Sequence, residues 1–228
     1  MKGTWKAAIA ILLLLILIPL TLTHWVPTLA GIWLPSGTRI ALKESPSWHN
    51  GRLLLPELRY LVGDCQLAQL RDAELSHPSR WRLHVGELNI NSACLSKLPQ
   101  SEPSPAAPRT LAEWQSMLPN SWLTIDRLRF SPWEKWQGKL ALSLTPAQQI
   151  LHYDGDSVTL RAALKGQALQ VSEFTANVLD DRPPIKLVGE LTMPLVPAGV
   201  PVNGHVESSF EVPGQQGLVD AELEWREN

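Results

Sequence analysis

The stretch Trp81-Arg82-Leu83-His84-Val85 alternates apolar and polar side chains. Successive side chains of a β-strand point to opposite faces of a sheet, so this alternation predicts a strand with one apolar face. The same alternation returns at Val158-Thr159-Leu160-Arg161-Ala162 and at Val219-Asp220-Ala221-Glu222-Leu223. The pattern therefore predicts a chain that is mainly β.

Turn-forming residues separate the predicted strands. Asp154-Gly155-Asp156 is typical of a hairpin turn, and a second turn is predicted at Asp180-Asp181-Arg182-Pro183-Pro184. No helical pattern follows residue 120, so the strands lack helical crossovers and are expected to run antiparallel. We also expect further strands beyond Trp225, because a sheet rarely ends in a long apolar edge.

A linker and one short amphipathic helix interrupt the strands. Residues 99–108 contain four prolines, which exclude a helix or a central strand. Thr110 and Glu113 then form a capping box, and Pro119 is expected to end the helix. Its predicted packing face consists of Leu111, Trp114, Met117 and Leu118.

The N-terminus predicts a single transmembrane helix. Residues 7–26 are uncharged and would span roughly 30 Å as a helix, about one hydrocarbon core. Lys2 and Lys6 precede this run, and no further positive charge occurs before Arg39. The positive-inside rule then places the N-terminus in the cytoplasm and the body of the chain across the membrane.

A cleaved signal peptide is the alternative to this anchor. Thr28-Leu29-Ala30 supplies small residues at a suitable spacing before Gly31, although the apolar run is longer than a usual signal core. Residues 26–46 are broken by Pro and Gly, and we interpret them as a short exit segment near the membrane surface.

Cys65 and Cys94 are the two cysteines of the chain. Both follow the predicted anchor, so they would lie in an oxidising compartment, where such a pair most simply forms a disulfide. The spacing fits neither a C-x-x-C motif nor a zinc site. The bond would close a loop of about 30 residues and contribute roughly 3–4 kcal/mol.

Composition and motifs argue against several functional classes. The formal net charge of −2 provides no footprint for nucleic acid. Neither Gly-x-Ser-x-Gly, a P-loop nor Gly-x-Gly-x-x-Gly occurs, and His77 with His84 lacks a third metal ligand. We therefore expect no enzyme, no metal and no cofactor.

The apolar positions after residue 120 form one predicted face. Its members are Leu123, Ile125, Leu140, Leu142, Leu144, Val158, Leu160, Ala162, Leu164, Leu187, Val219, Ala221 and Leu223. They could form the closed core of a structural scaffold. Because no predicted helix covers them, they could instead line an open trough for acyl chains, at about 0.8 kcal/mol per buried methylene.

Trp133 and Trp136 flank Glu134-Lys135 in a predicted loop after Pro132. Two indoles in a loop usually pack back on a sheet edge. The alternative is an interface with a partner or with the membrane surface.

Several long strings carry a family resemblance that covers essentially all of the chain. They include Arg59-Tyr60-Leu61-Val62-Gly63-Asp64-Cys65-Gln66-Leu67, Leu75-Ser76-His77-Pro78-Ser79-Arg80-Trp81 and Leu218-Val219-Asp220-Ala221-Glu222-Leu223. In these strings the sequence resembles the AsmA-like and TamB-like group of inner-membrane-anchored envelope proteins.

The resemblance implies a curved, groove-like sheet of the β-taco type in the periplasm. Such a sheet is expected to conduct glycerophospholipids between the inner and outer membranes. The outer-membrane lipoprotein YnbE is expected to extend the sheet at a C-terminal part that this chain would lack.

The chain divides into four predicted segments. Residues 1–30 are the anchor, 31–98 a β-rich cap with the disulfide, 99–120 the linker and helix, and 121–228 the start of the groove.

Overall fold

The computed structural model describes residues 37–77, 79–98, 109–177, 184–196, 203–212 and 215–224. Thirteen strands of this part of the chain lie in one sheet. They are β1 (Thr38–Leu42), β2 (Ser47–His49), β3 (Arg52–Val62), β4 (Cys65–Ser76), β5 (Trp81–Asn91), β6 (Ser121–Ser131), β7 (Gly138–Leu144), β8 (Gln149–Gly155), β9 (Val158–Lys165), β10 (Ala168–Ala176), β11 (Ile185–Thr192), β12 (Asn203–Val212) and β13 (Gln215–Glu224). The helices in the same ranges are α1 (Leu111–Met117) and two 3-10 helices, Ser92–Lys97 and Glu134–Trp136.

The strands lie side by side in chain order from β3 to β13, and both β1 and β2 pair with the free side of β3. Every described pair after residue 120 is antiparallel, as predicted. The prediction is wrong for β5 and β6, which pair in parallel. Parallel neighbours need a crossover, and the segment containing α1 makes this connection.

The predicted exit segment is only partly irregular, because β1 begins within it at Thr38. Within the described ranges, no helix is long and apolar enough to cross a membrane. The predicted anchor at residues 7–26 lies outside those ranges, as does most of the turn predicted at residues 180–184.

Cross-strand register aligns the apolar side chains in rows that run across the sheet. Row one is Trp48, Leu53, Leu75, Leu83, Leu123, Leu142, Leu151, Ala162, Val171, Gly189, Val206 and Ala221. Row two is Leu55, Ala73, Val85, Ile125, Leu140, Tyr153, Leu160, Phe174, Leu187, Ser208 and Val219. The two rows are neighbours on one face of the sheet, which we call the apolar face.

A crease crosses β3 to β6. The register passes over one residue in each strand, namely Pro56, Asp72, Gly86 and Asp126, and these four lie side by side. Asp72 adopts a positive φ of 53°, and a Cβ on Gly86 would come within 3.1 Å of the Asp72 Cβ. After the skipped residue, the alternation of side chains between the two faces is shifted by one position, as it is after a β-bulge.

The crease extends the apolar face toward the other ends of the strands. On its far side, leucines again point to the apolar face and form a further row: Leu42, Leu58, Leu70, Leu88 and Leu128. The buried core lies where these rows meet, and it consists of Ala73, Val85, Ile125, Leu128 and Tyr153.

The capping box of α1 is confirmed, since Thr110 Oγ1 accepts from the Glu113 amide and the Glu113 carboxylate accepts from the Thr110 amide. The predicted packing face is wrong at Trp114 and Met117, which are about half exposed. Leu111 is buried as predicted, and the second buried residue is Gln115, because the helix is short and contacts the sheet along one side only.

The predicted disulfide is confirmed between Cys65 and Cys94. Cys94 is fully buried against Val62 and Leu67, so the bond ties the 3-10 helix after β5 to the β3–β4 hairpin.

We predict that replacing both cysteines, Cys65→Ser with Cys94→Ser, lowers the free energy of unfolding by about 3–4 kcal/mol, because the unfolded chain regains the entropy of a 29-residue loop. Urea unfolding of the variant and of reduced wild-type protein should give the same loss. An unchanged midpoint in both samples would contradict the prediction.

Candidate functional site

The apolar face is the candidate site, and the structure brings all thirteen predicted lining positions to it. Leu123, Leu142, Ala162 and Ala221 belong to row one, and Ile125, Leu140, Leu160, Leu187 and Val219 belong to row two. Leu144, Leu164 and Leu223 lie in a third row with Ser121, Gln149, Leu169, Leu191 and Gly204. Val158 pairs with Ala176 two positions from Leu160, on the same face.

Most of these side chains are neither buried nor fully exposed. Ile125 has 3% of its surface exposed and belongs to the core, whereas Val219 is 46% exposed. The other predicted lining positions whose burial is described lie between these limits. A closed sandwich would bury one such face fully, so the described face is an accessible apolar surface.

Rows one and two contain no charged side chain over all the strands that they cross. From β9 toward β13 the side chains of row one become smaller, and they include Ala162, Gly189 and Ala221. A Cβ on Gly189 would overlap the backbone carbonyl oxygen of His205, so the glycine permits close approach of β11 and β12.

Sequence reasoning missed other members of the face, among them Tyr153, Val171, Phe174 and Gln149. Phe174 follows a register shift in β10 that breaks the alternation after Val171. Tyr153 and Val171 continue the alternation of β8 and β10 and could have been found from it. Gln149 could not, because a polar residue in an alternating strand is expected on the opposite face.

The strand ends form two rims, and α1 lies at one of them, here called the helix rim. The Gln115 side-chain amide donates to Gln149 Oε1 at 3.0 Å and to the Gly166 carbonyl at 2.9 Å. The Leu111 amide donates to the carbonyl of Leu195, which follows β11. The helix is therefore attached to the ends of β8 to β11, beside the third row.

The opposite rim carries Trp133 and Trp136 and is called the tryptophan rim. The Tyr153 hydroxyl donates to the Trp136 carbonyl, and burial, together with the Asp156 carboxylate, raises the Tyr153 pKa, so the phenol stays neutral. The two indoles are 56% and 52% exposed, with ring centroids 6.1 Å apart. They contact each other at this rim and remain accessible.

The reverse face of the sheet carries charge in an ordered ladder. Glu57, Arg71, Glu87 and Arg127 are successive register partners across β3 to β6. The hydrogen bond from Asn89, at 2.9 Å, and the nearby Arg129 guanidinium lower the Glu87 pKa. The hydrogen bond from Arg59 similarly lowers the pKa of Glu57. The two faces therefore differ in chemistry as the strand alternation requires.

A polar cleft of about 530 Å³ opens beside this ladder at the tryptophan rim. Its lining includes Asn89, Arg129, Glu134 and Gln137, so both signs of charge are present and no single ligand class is favoured. In the part of the chain that the structure describes, no three metal-ligating side chains come together.

Comparison with known proteins gives one family and one curated relative. A family model described as YdbH-like, "Intermembrane phospholipid transport protein YdbH", matches residues 8–228. The "Probable phospholipid transport protein YdbH" of Escherichia coli (strain K12) is 59% identical over 232 residues. The match covers 100% of this chain and 26% of that relative, so the chain spans about a quarter of its length. No solved structure matches the chain.

The charge ladder predicts how stability depends on pH. Because the Glu87 pKa is below its ordinary value of 4.5, the folded state gains stability above that value and loses it as the pH falls through the folded-state pKa. Glu87→Gln should lower the free energy of unfolding at pH 7 by about 1 kcal/mol. That difference from wild type should shrink below pH 4.5. Urea unfolding across pH 3–7 (about the range where carboxyls titrate) measures it, and a difference independent of pH would contradict the assignment.

Proposed function

This chain belongs to the YdbH-like family, and from that membership we propose that it forms the first part of a conduit that carries phospholipid between the inner and outer membranes. The family match and the curated relative supply the substrate class. The structure supplies a surface on which acyl chains can bind.

The observation that carries the proposal is the continuity of the two apolar rows. Row one crosses every strand from β2 to β13, and row two every strand from β3 to β13. At about 4.8 Å between strands, eleven spacings give a path of roughly 53 Å, longer than the hydrocarbon core of about 30 Å. An acyl chain that moves along this path exchanges one aliphatic contact for an equivalent one.

The half-exposed state of the lining favours a conduit over the closed scaffold. Each methylene that leaves water for an apolar surface contributes about 0.8 kcal/mol, so lipid tails gain free energy on this face. Because no charge interrupts the rows, a tail meets no desolvated ion on its way. The charged reverse face remains in water. We propose that the sheet curls around the rows as a groove of the β-taco type.

We further propose that residues 7–26 anchor the chain in the inner membrane, with the N-terminus in the cytoplasm and the body in the periplasm. The Lys2 and Lys6 charges before the apolar run support this orientation. The Cys65–Cys94 disulfide supports an oxidising compartment for the body.

Each predicted segment has a proposed role in this conduit. The cap at residues 31–98 would form the membrane-proximal wall, since its strands join the sheet of residues 121–228 through the β5–β6 pair. The outer-membrane lipoprotein YnbE would meet strands beyond this chain. Trp133 and Trp136 would serve as a contact surface at the tryptophan rim.

We predict that Leu160→Asp or Leu187→Asp in the full-length protein abolishes lipid transfer. A carboxylate in row two would have to be desolvated for each passing tail. The fold should survive, because both leucines are only partly buried in the described sheet.

Thr159→Asp and Lys186→Asp are the matched controls. Thr159 precedes Leu160 and Lys186 precedes Leu187 in the sequence, and both control residues point to the reverse face. Transfer is measured as the arrival of labelled phospholipid in the outer membrane of cells that depend on this protein. Normal transfer by folded Leu160→Asp and Leu187→Asp variants would remove the main support for the conduit and favour the scaffold.

A further inference from the structure

The apolar face is open at its first edge, where β1 and β2 lie. Both strands pair with β3, β1 along Leu58 to Val62 and β2 along Arg52 to Leu54. Trp48 of β2 stands opposite Leu53 and so begins row one. Its exposed fraction is 71%, although it belongs to the apolar face.

The position of Trp48 is fixed by the backbone around it. Asn50 and Gly51, both at positive φ, make a two-residue hairpin turn between β2 and β3. Pro46, just before β2, is buried. The indole is thus held at the edge by ordered structure, and its exposure does not come from a loose loop.

The chain enters the sheet at this same edge. The Gly63 amide donates to the Gly37 carbonyl at 2.8 Å, and β1 begins at Thr38. The uncharged run at residues 7–26 ends eleven positions before Gly37. Even fully extended, these residues span at most about 40 Å, so the first edge cannot lie far from a bilayer that holds the run.

Trp133 and Trp136 provide a comparison of similar exposure. They follow β6, which lies four strand spacings from β1, or about 19 Å. Trp114 is also half exposed, but α1 is attached to β8 through β11, farther along the sheet. What separates Trp48 from these other exposed indoles is its place on the apolar face at the edge where the chain enters.

We propose that the β1–β2 edge rests on the surface of the phospholipid bilayer and that Trp48 marks the mouth through which lipid tails enter row one. This inference depends on the proposed conduit and anchor. An indole has an apolar body and an N–H donor, a combination that favours the headgroup level of a bilayer. A tail that leaves the bilayer beside Trp48 meets Leu53 and Leu75 next.

The test is in-cell photo-crosslinking to radiophosphate-labelled phospholipid, with the crosslinker at position 48, 133 or 160 of the full-length protein. Each position is examined with and without Leu123→Asp, which places a charge in row one on β6, between the strand of Trp48 and the strand that carries Leu160 in row two. We expect adducts at positions 48 and 160 and only background at 133. With the block, the adduct at 160 should be lost and the adduct at 48 retained.

The outcomes separate the inference from the conduit on which it rests. Adducts at 160 without adducts at 48 would overturn the mouth and leave the conduit standing. If Leu123→Asp abolished the adducts at both 48 and 160, lipid would reach Trp48 from within the groove. If the adduct yield at 133 equalled that at 48, the sheet would lie flat on the bilayer. Either result overturns the edge-on arrangement. Adducts at 48 alone, with none at 160 in the unblocked protein, would instead remove the conduit.

A functional measurement checks the role of the indole itself. Trp48→Ser should reduce lipid transfer, whereas Trp48→Tyr, which keeps an amphipathic ring, should restore most of it. Both variants should unfold at the wild-type urea midpoint, since the side chain is mostly exposed. Equal transfer by the Ser and Tyr variants would overturn the assignment of Trp48 to the mouth.

Discussion

Cross-strand register is the constraint on which the rest of this structure depends. Because side chains alternate along each strand, a shift of one residue in any pair would send that strand's leucines to the charged face. The apolar rows continue from β2 to β13 although four pairs, β3–β4, β6–β7, β9–β10 and β10–β11, contain a register shift. The rows exist only because every pair agrees.

The crease and the charge ladder show how the first four long strands maintain this agreement. Pro56, Asp72, Gly86 and Asp126 reset the pleat together, so no single strand falls out of phase with its neighbours. On the reverse face, Glu57, Arg71, Glu87 and Arg127 alternate in sign across the same strands. A slip of one residue in any of these pairs would remove each carboxylate from its arginine partner, so the ladder opposes the slips that would break the apolar rows.

The sequence could predict the local features and left most of the pairing open. Alternation identified most strands but neither β1 nor β2, and the thirteen positions that it assigned to one face lie on the apolar face together with others. The Cys65–Cys94 bond and the α1 capping box followed from residue types. The parallel β5–β6 pair was not predictable, because the connecting segment permits either direction. The crease was hidden as well, since a reset pleat breaks the period of two on which strand prediction relies. Trp114 was assigned to the packed side of α1 because helical spacing cannot reveal that Gln115, and not Trp114, is buried together with Leu111.

Each described strand contacts chiefly its immediate neighbours in the sheet. The cross-section of the apolar face is therefore set by strand length, and its reach by strand number, so the two can vary independently. Another hairpin adds about 10 Å of reach without altering the width. A sheet built on this plan can change its reach by gaining or losing hairpins while the width of its apolar face stays the same.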